Sequence, residues 1–359
     1  MVDIRSARAV APGIPSDSTA ALVIDQLTVE YGSGHGAVVA VRDASLTIRR
    51  GEKRGVVGES GSGKTSLARA VPGLLGRSGR VVHGQILVDS TDMGRLSERA
   101  RAQVRRRAVS LIFQDPLNSL DPVRSIYSQT SEAIRFRRSG GRHLGRKEMG
   151  RAVQTLLEEC EITDAVRVMK QYPHELSGGM RQRIAIGMAV AGDASLIIAD
   201  EPTTALDVVT QAEILQMLDR VVTTRSTALL FITHNLAVVS EFCDTVSVMY
   251  GGRIVEEGVC REVVQNPLHP YSRGLVQAIP AISGGRRALV GIPGDPPALG
   301  DPERGCRFEP RCSLGNGVQV CREQVPALEQ VSAEHGSVRS VRCHLVDRRR
   351  GDTTGDAAV

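Results

Sequence analysis

Gly58-Glu59-Ser60-Gly61-Ser62-Gly63-Lys64-Thr65 is a full match to the phosphate-loop pattern G-x-x-x-x-G-K-[ST]. Gly55-Val56-Val57, just before it, predicts the end of a buried strand, and residues 66–71, just after it, predict a helix. The pattern requires this order of strand, loop and helix. Its glycines let the backbone turn tightly and point its N–H groups inward, so that phosphates can bind at the start of the helix. We therefore predict an α/β fold with a nucleotide site at this loop.

Two side chains at the end of the loop have the chemistry to bind a metal-nucleotide complex. Lys64 is expected to reach the β- and γ-phosphates, and the Thr65 hydroxyl is expected to bind Mg²⁺. Tyr31, one of five tyrosines in the chain, could stack under an adenine ring or be an ordinary edge-strand tyrosine; its local spacing favours neither. The residues expected to bind ATP in and beside the loop are Gly58, Glu59, Ser60, Gly61, Ser62, Gly63, Lys64, Thr65 and Ser66.

Length and composition exclude several classes of protein. The chain of 359 residues has room for about two domains, and no apolar run approaches the roughly 18 to 20 residues of a membrane span. No apolar segment of signal-peptide length follows the first residues, so we expect a cytosolic protein without a secretory signal. The net charge of +5 is modest for this length and gives little support to nucleic-acid binding.

Short strands are predicted between the N-terminus and the loop. Apolar or alternating runs lie at 22–24 and 27–31, and a second pair of strands is predicted at 38–41 and 45–48. Turn residues at 32–36 separate the two groups. Gly51-Glu52 then turns the chain into the strand that precedes the phosphate loop.

Polar side chains follow three of the predicted strands downstream of the loop. Leu196-Ile197-Ile198-Ala199 predicts a buried parallel strand that delivers Asp200 and Glu201 at its carboxyl end, where open α/β sheets bind ligands. These carboxylates suit different tasks: Asp200 for Mg²⁺, and Glu201 for orienting and deprotonating an attacking water. His234 and Gln114 end two other strands of this kind. Gln114 on these grounds alone could also be a turn residue.

A polar, helical stretch from 117 to 175 looks inserted into the α/β pattern. It ends at Leu-Ser-Gly-Gly, residues 176–179, where Ser177 can cap a helix that continues through Val190. In isolation this is only a good helix N-terminus. Beside a phosphate loop it is a second anion-binding helix end, and one nucleotide site does not need two.

The order of these motifs resembles that of the nucleotide-binding subunits of ATP-binding-cassette (ABC) transporters, over roughly residues 20–265. Five separated motifs in the right order make the resemblance specific. They are the phosphate loop with Gln114 after it, the segment 176–183, Asp200-Glu201, Ala205-Leu206-Asp207 and His234.

The resemblance assigns a role to each of these positions. Tyr31 stacks on the adenine, Gln114 binds Mg²⁺ and couples the site to movement, and His234 is the switch histidine. Glu201, His234 and Gln114 are then the catalytic residues, and the Mg²⁺ ligands are Thr65, Gln114 and Asp200. The signature residues, which contact ATP held by a partner subunit, are Ser177, Gly178, Gly179 and Gln182. The D-loop residues are Ala205, Leu206 and Asp207.

Further segments resemble the dipeptide and oligopeptide importer branch of that superfamily, which also includes nickel importers. They are Phe113-Gln114-Asp115-Pro116, Ser119-Leu120-Asp121-Pro122, 201–207, Asn266-Pro267 and His269-Pro270-Tyr271. The resemblance implies an ATPase that powers uptake of short peptides, with ATP and Mg²⁺ as cofactors. The alternatives are a nickel importer and a soluble ABC ATPase acting on ribosomes or DNA. No second phosphate loop or heptad repeat supports the soluble alternative.

The resemblance also implies that the chain works in a membrane assembly. Nucleotide sites in this family form between two subunits, so we expect a second, similar ABC ATPase in a heterodimer, with a homodimer as the alternative. Two transmembrane permease subunits and an extracytoplasmic substrate-binding protein complete the importer. The chain is expected to lie peripherally at the cytoplasmic face of the membrane and to bind no nucleic acid.

The predicted fold class is α/β, with several parts. The ABC-type P-loop ATPase core carries an antiparallel β subdomain, an inserted α-helical subdomain and a small cysteine-containing C-terminal extension. We expect a disordered segment at 1–20 and the ATPase domain at 21–265, with its helical subdomain at about 115–190. The extension is predicted at 266–345 and a disordered tail at 346–359.

Four of the seven cysteines lie in this extension. They are Cys306, Cys312, Cys321 and Cys343. A cytosolic chain disfavours disulfides, so the cluster suggests a metal site. Their spacings of five, eight and twenty-one intervening residues match neither a zinc ribbon nor a ferredoxin run. Four reduced thiols in a loop-rich tail are the alternative.

Residues 305–312 resemble the C-terminal module of peptide-importer ATPases, in which some members hold a [4Fe–4S] cluster on four such cysteines. A small segment with little apolar core gains folding stability from thiolate bonds. We therefore predict a structural [4Fe–4S] cluster on the four cysteines, with no part in hydrolysis. Zinc is the alternative, with His335 or His344 able to replace one cysteine. The cysteines predicted to be ordinary buried thiols are Cys160, Cys243 and Cys260.

Overall fold

The computed structural model describes residues 19–112, 120–137, 144–192, 194–203, 207–279, 291–332, 338–347 and 352–353. The chain divides into two compact units. Unit 1 comprises the N-terminal residues up to Leu22, Ile48–Glu52 and Leu87–Leu230. Unit 2 comprises Val23–Thr47, Lys53–Ile86 and the residues from Phe231 onward.

The strands of the described residues alternate with helices along much of the chain. They are β1 (Ala20–Tyr31), β2 (Val38–Arg49), β3 (Lys53–Val57), β4 (Gly79–Val88), β5 (Thr91–Asp92), β6 (Val109–Ile112), β7 (Leu196–Asp200), β8 (Ala228–Thr233), β9 (Thr245–Tyr250), β10 (Arg253–Val259), β11 (Glu329–Ser332), β12 (Val338–Val341), β13 (Val346–Asp347) and β14 (Asp352–Thr353).

The α-helices of the described residues are divided between the two units. They are α1 (Lys64–Ala70), α2 (Glu98–Ala108), α3 (Ile126–Arg137), α4 (Arg146–Glu159), α5 (Ala165–Val168), α6 (Gly178–Ala189), α7 (Val208–Arg225), α8 (Leu236–Phe242), α9 (Cys260–Gln265), α10 (Pro270–Gln277) and α11 (Gln319–Glu323). Helices α2 to α7 lie in unit 1, and α1 and α8 to α11 lie in unit 2.

Unit 2 contains a sheet with the strand order β11-β12-β10-β9-β3. Strand β3 pairs with β9 in parallel, with Val57 opposite Val248, and β9 pairs with β10 in antiparallel. Strand β12 pairs with β10 in antiparallel, with Glu256 opposite Val341. The C-terminal extension therefore adds two strands, β11 and β12, to the sheet that contains β3, the strand before the phosphate loop. The sequence did not predict these strands, because each is only four residues long and so short a run carries little alternation.

Unit 1 contains the parallel pair β6 and β7, with Val109 opposite Leu196 and Ile112 opposite Ala199. Every residue of β7 is buried, as expected for a parallel strand covered on both faces. Between these two strands the described residues form helices α3 to α6 and no strand. The predicted helical character of this stretch is thus observed.

The first two strands are longer than the sequence predicts. Residues 22–24 and 27–31 belong to one strand, β1, and 38–41 and 45–48 belong to one strand, β2. Each strand contains a single residue in the left-handed region, with φ of 46° at Gln26 and at Asp43. One such residue shifts the in-and-out alternation of side chains without ending the strand. In the sequence, this shift looks like a break between two shorter strands.

Two further observations concern the termini and the membrane. Residues 346–347 and 352–353, in the predicted disordered tail, pair as the short antiparallel ladder β13–β14. No helix in the described ranges has the length and apolar character needed to cross a bilayer.

Candidate nucleotide site and cysteine module

The phosphate loop leaves β3 after the buried Val57 and enters α1 at Lys64. Gly63, at the helix N-cap, has φ of 104°, and a Cβ there would lie 2.3 Å from the Ala40 carbonyl oxygen. A Cβ at Gly58 would lie 2.1 Å from the Met249 carbonyl oxygen. No side chain fits at either position, so both glycines are required by the close approach of neighbouring backbone.

Lys64 lies at the centre of this loop and is buried. Its Nζ donates hydrogen bonds to the carbonyl oxygens of Gly58 at 2.7 Å and Glu59 at 2.8 Å, and to Ser62 Oγ at 3.3 Å. An ammonium group encircled by the loop can neutralise phosphate charge there. Thr65 follows in the first turn of α1, half-buried, at the position predicted to bind Mg²⁺.

Glu59 is held by two residues that the sequence analysis did not assign to the site. Both of its carboxylate oxygens accept hydrogen bonds from Arg311, at 2.7 and 3.1 Å. Its backbone N–H donates to the Tyr271 hydroxyl at 2.8 Å. Tyr271 belongs to the His-Pro-Tyr motif used above for the branch resemblance, and Arg311 directly precedes Cys312. These positions were the available signals, but nothing local linked them to the loop.

Tyr31 ends β1 and is half-buried. Its ring edge approaches Gly79 so closely that a Cβ there would lie 2.8 Å from Cε1. The next residue, Gly32, donates its N–H to the Ser78 carbonyl at 2.9 Å. The residue is therefore fixed at the strand end, and its contact with adenine stays a prediction.

The two acids lie in unit 1. Asp200 is the last residue of β7 and is buried, and Glu201 follows it, half-buried. Glu201 has φ of 49°, a left-handed conformation that is uncommon and strained for a residue with a side chain. Such strain persists where surrounding structure imposes it, and it is concentrated at functional sites.

The signature residues begin α6, also in unit 1. Ser177 caps the helix as predicted, with its Oγ accepting from the Met180 N–H at 3.3 Å. A Cβ at Gly178 would meet no atom within 4 Å, and one at Gly179 would lie 3.5 Å from the Thr210 side chain. Packing within the described chain therefore does not explain why Gly178 is glycine. Gln182 is buried and donates to the Pro202 carbonyl oxygen.

Asp207 caps the next helix, α7. Its carboxylate accepts hydrogen bonds from the Thr210 N–H at 3.0 Å and the Thr210 hydroxyl at 2.7 Å. These hydrogen bonds lower the pKa of Asp207.

His234 follows β8 in unit 2 and is exposed. The predicted site residues that lie outside the described part of the chain are Gln114, Ala205 and Leu206.

The predicted site residues are thus divided between the two units. The phosphate loop, Tyr31 and His234 belong to unit 2. Asp200, Glu201, Asp207 and the signature residues belong to unit 1. Within unit 1, Gln182 connects the signature helix to the segment that follows Glu201.

The four C-terminal cysteines gather in what we call the cysteine module, residues 305–323 with Cys343. A Cβ at Gly315 would lie 3.3 Å from both Cys312 Sγ and Cys321 Sγ, and the Cys306 N–H donates to the Cys321 carbonyl at 2.7 Å. Burial, and to a smaller extent the nearby thiols of Cys343, Cys321 and Cys312, raise the pKa of the Cys306 thiol. The fold therefore brings together cysteines that are spread over the extension.

Backbone N–H groups point at two of these sulfurs. Gly315 donates to Cys312 Sγ at 3.1 Å, and Leu345 donates to Cys343 Sγ at 3.4 Å. Burial raises the pKa of the Cys306 thiol to about 12 and that of the Cys343 thiol to about 11. N–H donors of this kind stabilise metal-bound thiolates.

Among the residues that the structure describes, no three His, Cys, Asp or Glu side chains are arranged to hold a metal ion. His344 Nε2 lies 3.0 Å from the Gln324 carbonyl oxygen, and His335 lies outside the described residues. The three cysteines predicted to be buried thiols are buried, as expected: Cys160, Cys243 and Cys260.

The extension is attached to β10 through a buried carboxylate. Glu256, with no exposed surface, accepts from the N–H groups of Leu268 and His269, each at 2.9 Å, and pairs with Arg339. His269 caps α10 by accepting from the Tyr271 N–H at 3.0 Å. Burial lowers the pKa of His269 to about 3, so the imidazole is neutral and can accept this bond.

Two known families match separate segments of the chain. The ABC transporter family matches residues 41–204, and the oligopeptide/dipeptide transporter C-terminal region matches residues 255–321. The second match contains the His-Pro-Tyr motif and three of the four clustered cysteines, and it ends at Cys321.

Two curated relatives and one solved structure show how far the similarity extends. The oligopeptide transport ATP-binding protein OppD of Salmonella typhimurium is 40% identical, over 89% of this chain and 92% of the relative. The probable D,D-dipeptide transport ATP-binding protein DdpD of Escherichia coli is 44% identical, over 86% and 92%. The dimeric post-hydrolysis structure of the ATP-binding cassette MJ0796 with ADP and Pi is 25% identical over 67% of this chain and 99% of that one, with a TM-score of 0.59.

Proposed function

This chain belongs to the ATP-binding proteins of ABC transporters that carry the oligopeptide/dipeptide transporter C-terminal region, and we propose that it powers the import of short peptides by hydrolysing ATP. The resemblance predicted from the motifs is confirmed, and so is the α/β fold class of a P-loop ABC ATPase. The observation that carries the proposal is the phosphate loop around Lys64, together with the C-terminal region found in transport ATPases.

We assign a separate role in ATP hydrolysis to each of the predicted site residues. Lys64 binds the β- and γ-phosphates, and Tyr31 stacks on the base. Glu201 orients the attacking water and accepts its proton, and His234 contacts the γ-phosphate. Mg²⁺, when bound, neutralises phosphate charge; Thr65, Asp200 and Gln114 are its proposed ligands.

The signature residues support a site shared between two subunits. Ser177 is exposed, and the space beside Gly178 is open within the described chain, so the start of α6 can face a nucleotide held on a partner's phosphate loop. We propose a heterodimer with a second, similar ABC ATPase, peripheral to the cytoplasmic face of the membrane. Two permease subunits and an extracytoplasmic substrate-binding protein form the rest of the importer.

Two substitutions test the catalytic assignment in the assembled transporter. Glu201→Gln keeps ATP binding and abolishes most turnover, because the amide cannot accept the proton of the attacking water. Lys64→Ala weakens nucleotide binding itself. Glu241→Gln, on the exposed face of α8, is the matched control and leaves both properties unchanged. Wild-type turnover in the Glu201→Gln transporter, at the sites that this chain supplies, contradicts the assignment.

The substrate class needs a transport assay. Uptake of a labelled di- or oligopeptide into cells or vesicles that contain the complete importer is expected to require ATP and intact Glu201. ATP-dependent uptake of Ni²⁺ without peptide uptake favours a nickel importer instead. Full ATPase activity of the isolated monomer, with no association with permease subunits, favours a soluble ABC ATPase.

We further propose that the cysteine module binds a [4Fe–4S] cluster. A single zinc ion places its thiolates about 3.8 Å apart at one point, whereas a four-iron cluster holds them around a larger volume. The four gathered cysteines, with N–H donors at Cys312 and Cys343, are the residues that would hold either group, and the resemblance of residues 305–312 to modules with a [4Fe–4S] cluster favours the cluster. Because burial raises the pKa of Cys306 and Cys343, cluster binding at neutral pH releases protons.

Anaerobic purification followed by iron, acid-labile sulfide and zinc assays tests this proposal. We expect about four irons and four sulfides per chain, lost in Cys312→Ser and retained in Cys160→Ser. One zinc per chain instead overturns the iron–sulfur assignment but leaves a metal-stabilised module. A metal-free, colourless protein with a folded extension removes the cluster altogether.

A further inference from the structure

We propose that Arg311 is a positioning residue for nucleotide binding, acting through Glu59 of the phosphate loop. Its guanidinium donates to both carboxylate oxygens of Glu59, at 2.7 and 3.1 Å. The Arg311 side chain is 6% exposed and that of Glu59 28% exposed. This inference rests on the proposed ATP-binding function, and it assigns a role in that function to the C-terminal extension.

The remaining hydrogen bonds of Arg311 fix the orientation of the guanidinium. Nε donates to the Pro293 carbonyl at 2.8 Å, and the two terminal nitrogens donate to the Tyr250 hydroxyl at 3.3 Å and the Ile292 carbonyl at 3.4 Å. A planar guanidinium held on several sides offers its fork to a carboxylate in one orientation. The guanidinium of Arg311 therefore holds the Glu59 carboxylate in a fixed position.

The backbone of Glu59 is anchored as well as its side chain. The Tyr271 hydroxyl accepts the Glu59 N–H at 2.8 Å. The Tyr271 ring packs against Tyr250 and Phe308, with ring centroids 4.6 and 5.5 Å apart, and Phe308 lies between Cys306 and Arg311 in sequence. The second residue of the phosphate loop is thus attached to the cysteine module by an ion pair, a hydrogen bond and an aromatic cluster.

Glu59 makes the ion pair important for binding a polyanion. It is the single acidic residue in the loop from Gly58 to Thr65, where a nucleoside triphosphate places several negative charges. A carboxylate without a counter-charge at this position repels the phosphates, while a bidentate arginine neutralises it and occupies both of its oxygens. The loop then presents its N–H groups and Lys64 without opposition.

The relationship gives the cysteine module a part that the sequence did not predict. Arg311 and Cys312 are adjacent, so the bonds that fold the module also place the guanidinium. We predicted above a structural module with no part in hydrolysis. That prediction stays, because the chemical step is left to other residues, and the inferred part of the module is in nucleotide affinity.

The test measures the affinity of the purified full-length chain for a fluorescent ATP analogue with Mg²⁺. Arg311→Met is expected to raise Kd about tenfold, because it exposes the phosphates to an unpaired carboxylate. Adding Glu59→Gln to Arg311→Met is expected to recover most of that loss, since it removes the repelling charge. Arg322→Met is the matched control: Arg322 lies in the same module and pairs with Glu309 at 3.1 Å. It leaves Kd unchanged.

A second readout separates positioning from a general structural effect. In the assembled transporter, Arg311→Met is expected to raise the KM for ATP about tenfold and to change kcat less than about twofold. If Arg311→Met does not fold, Arg311→Lys takes its place. Lysine keeps the charge but loses the fork that holds both Glu59 oxygens, so a smaller rise in Kd is expected, which Glu59→Gln is again expected to recover. An unchanged Kd overturns the inference.

The outcomes are distinguishable. An unchanged Kd in Arg311→Met, with a wild-type chain that binds ATP, overturns the inference. A double variant that binds no better than Arg311→Met also overturns it, because a purely structural role gives no rescue. A wild-type chain that binds no ATP contradicts the proposed function instead.

Discussion

The buried side-chain amide of Gln182 donates a hydrogen bond to the backbone carbonyl of Pro202. This bond ties the signature helix α6 to the residue that follows Glu201. Because Glu201 is held in a left-handed conformation, neighbouring contacts must maintain its backbone. The bond between Gln182 and Pro202 is one such contact, and it provides a direct link between the predicted signature and catalytic segments.

Gln182→Ala is expected to lower kcat of the assembled transporter about tenfold while leaving ATP affinity nearly unchanged. The substitution leaves the buried Pro202 carbonyl without its donor and releases the turn at Glu201. Steady-state ATPase assays and nucleotide titration measure the two effects. Gln154→Ala, which removes an exposed hydrogen bond to Glu158 on α4, is the control. A lowered affinity with unchanged kcat contradicts this account of Gln182.

Gly178→Ala and Gly187→Ala, both on α6, are expected to affect different properties, the first ATPase activity and the second stability. A Cβ at Gly178 meets no atom of the described chain within 4 Å, but one at Gly187 lies 2.2 Å from Cys160 Sγ. Gly187→Ala therefore destabilises the fold by about 1–3 kcal/mol, measured by urea unfolding. Gly178→Ala leaves stability unchanged and lowers ATPase activity only in the assembled transporter, where its methyl group meets the partner's nucleotide. Normal activity of that assembly argues against a shared site.

Glu256→Gln is expected to destabilise the protein by about 2–4 kcal/mol, because Arg339 is left buried beside a neutral group. The two N–H groups of Leu268 and His269 also lose a charged acceptor. Glu132→Gln is the control: its ion pair with Arg124 is exposed, so it costs about 1 kcal/mol or less. Chemical denaturation compares the two, and equal losses contradict the role given to Glu256.

Stability is expected to fall as the pH drops below about 6.5, partly through His269. Burial lowers the pKa of His269 from 6.5 to about 3. The unfolded chain therefore binds a proton below pH 6.5 that the folded chain does not bind, and the folded state is favoured most above that pH. Between pH 6.5 and 5 the expected loss is about 1.5 kcal/mol.

Denaturation curves at the two pH values, for the wild type and for His269→Asn, isolate this contribution. Asparagine can still cap α10 by accepting the Tyr271 N–H, but it does not titrate. The variant is expected to lose about 1.5 kcal/mol less than the wild type over this pH range. The same pH dependence in both proteins assigns the effect to other groups.

Much of the site was predictable because its signals are local. The phosphate loop, the cap at Ser177 and the buried strand before Asp200 each depend on a few consecutive residues, whose backbone requirements are visible in the sequence. The strand lengths were harder to predict, since β1 and β2 continue through the left-handed residues Gln26 and Asp43. A single unusual dihedral angle leaves little trace in a sequence pattern.

The family and the phosphate loop could be predicted from the sequence, because their motifs are short segments with their own chemistry. The residues that hold Glu59 of the loop became visible only in the folded chain. Arg311 and Tyr271 lie 252 and 212 residues away from Glu59 along the chain, and β12 joins β10 with Val341 opposite the distant Glu256. Such contacts depend on the path of the whole chain, and no local sequence pattern predicts which distant side chain will contact the loop.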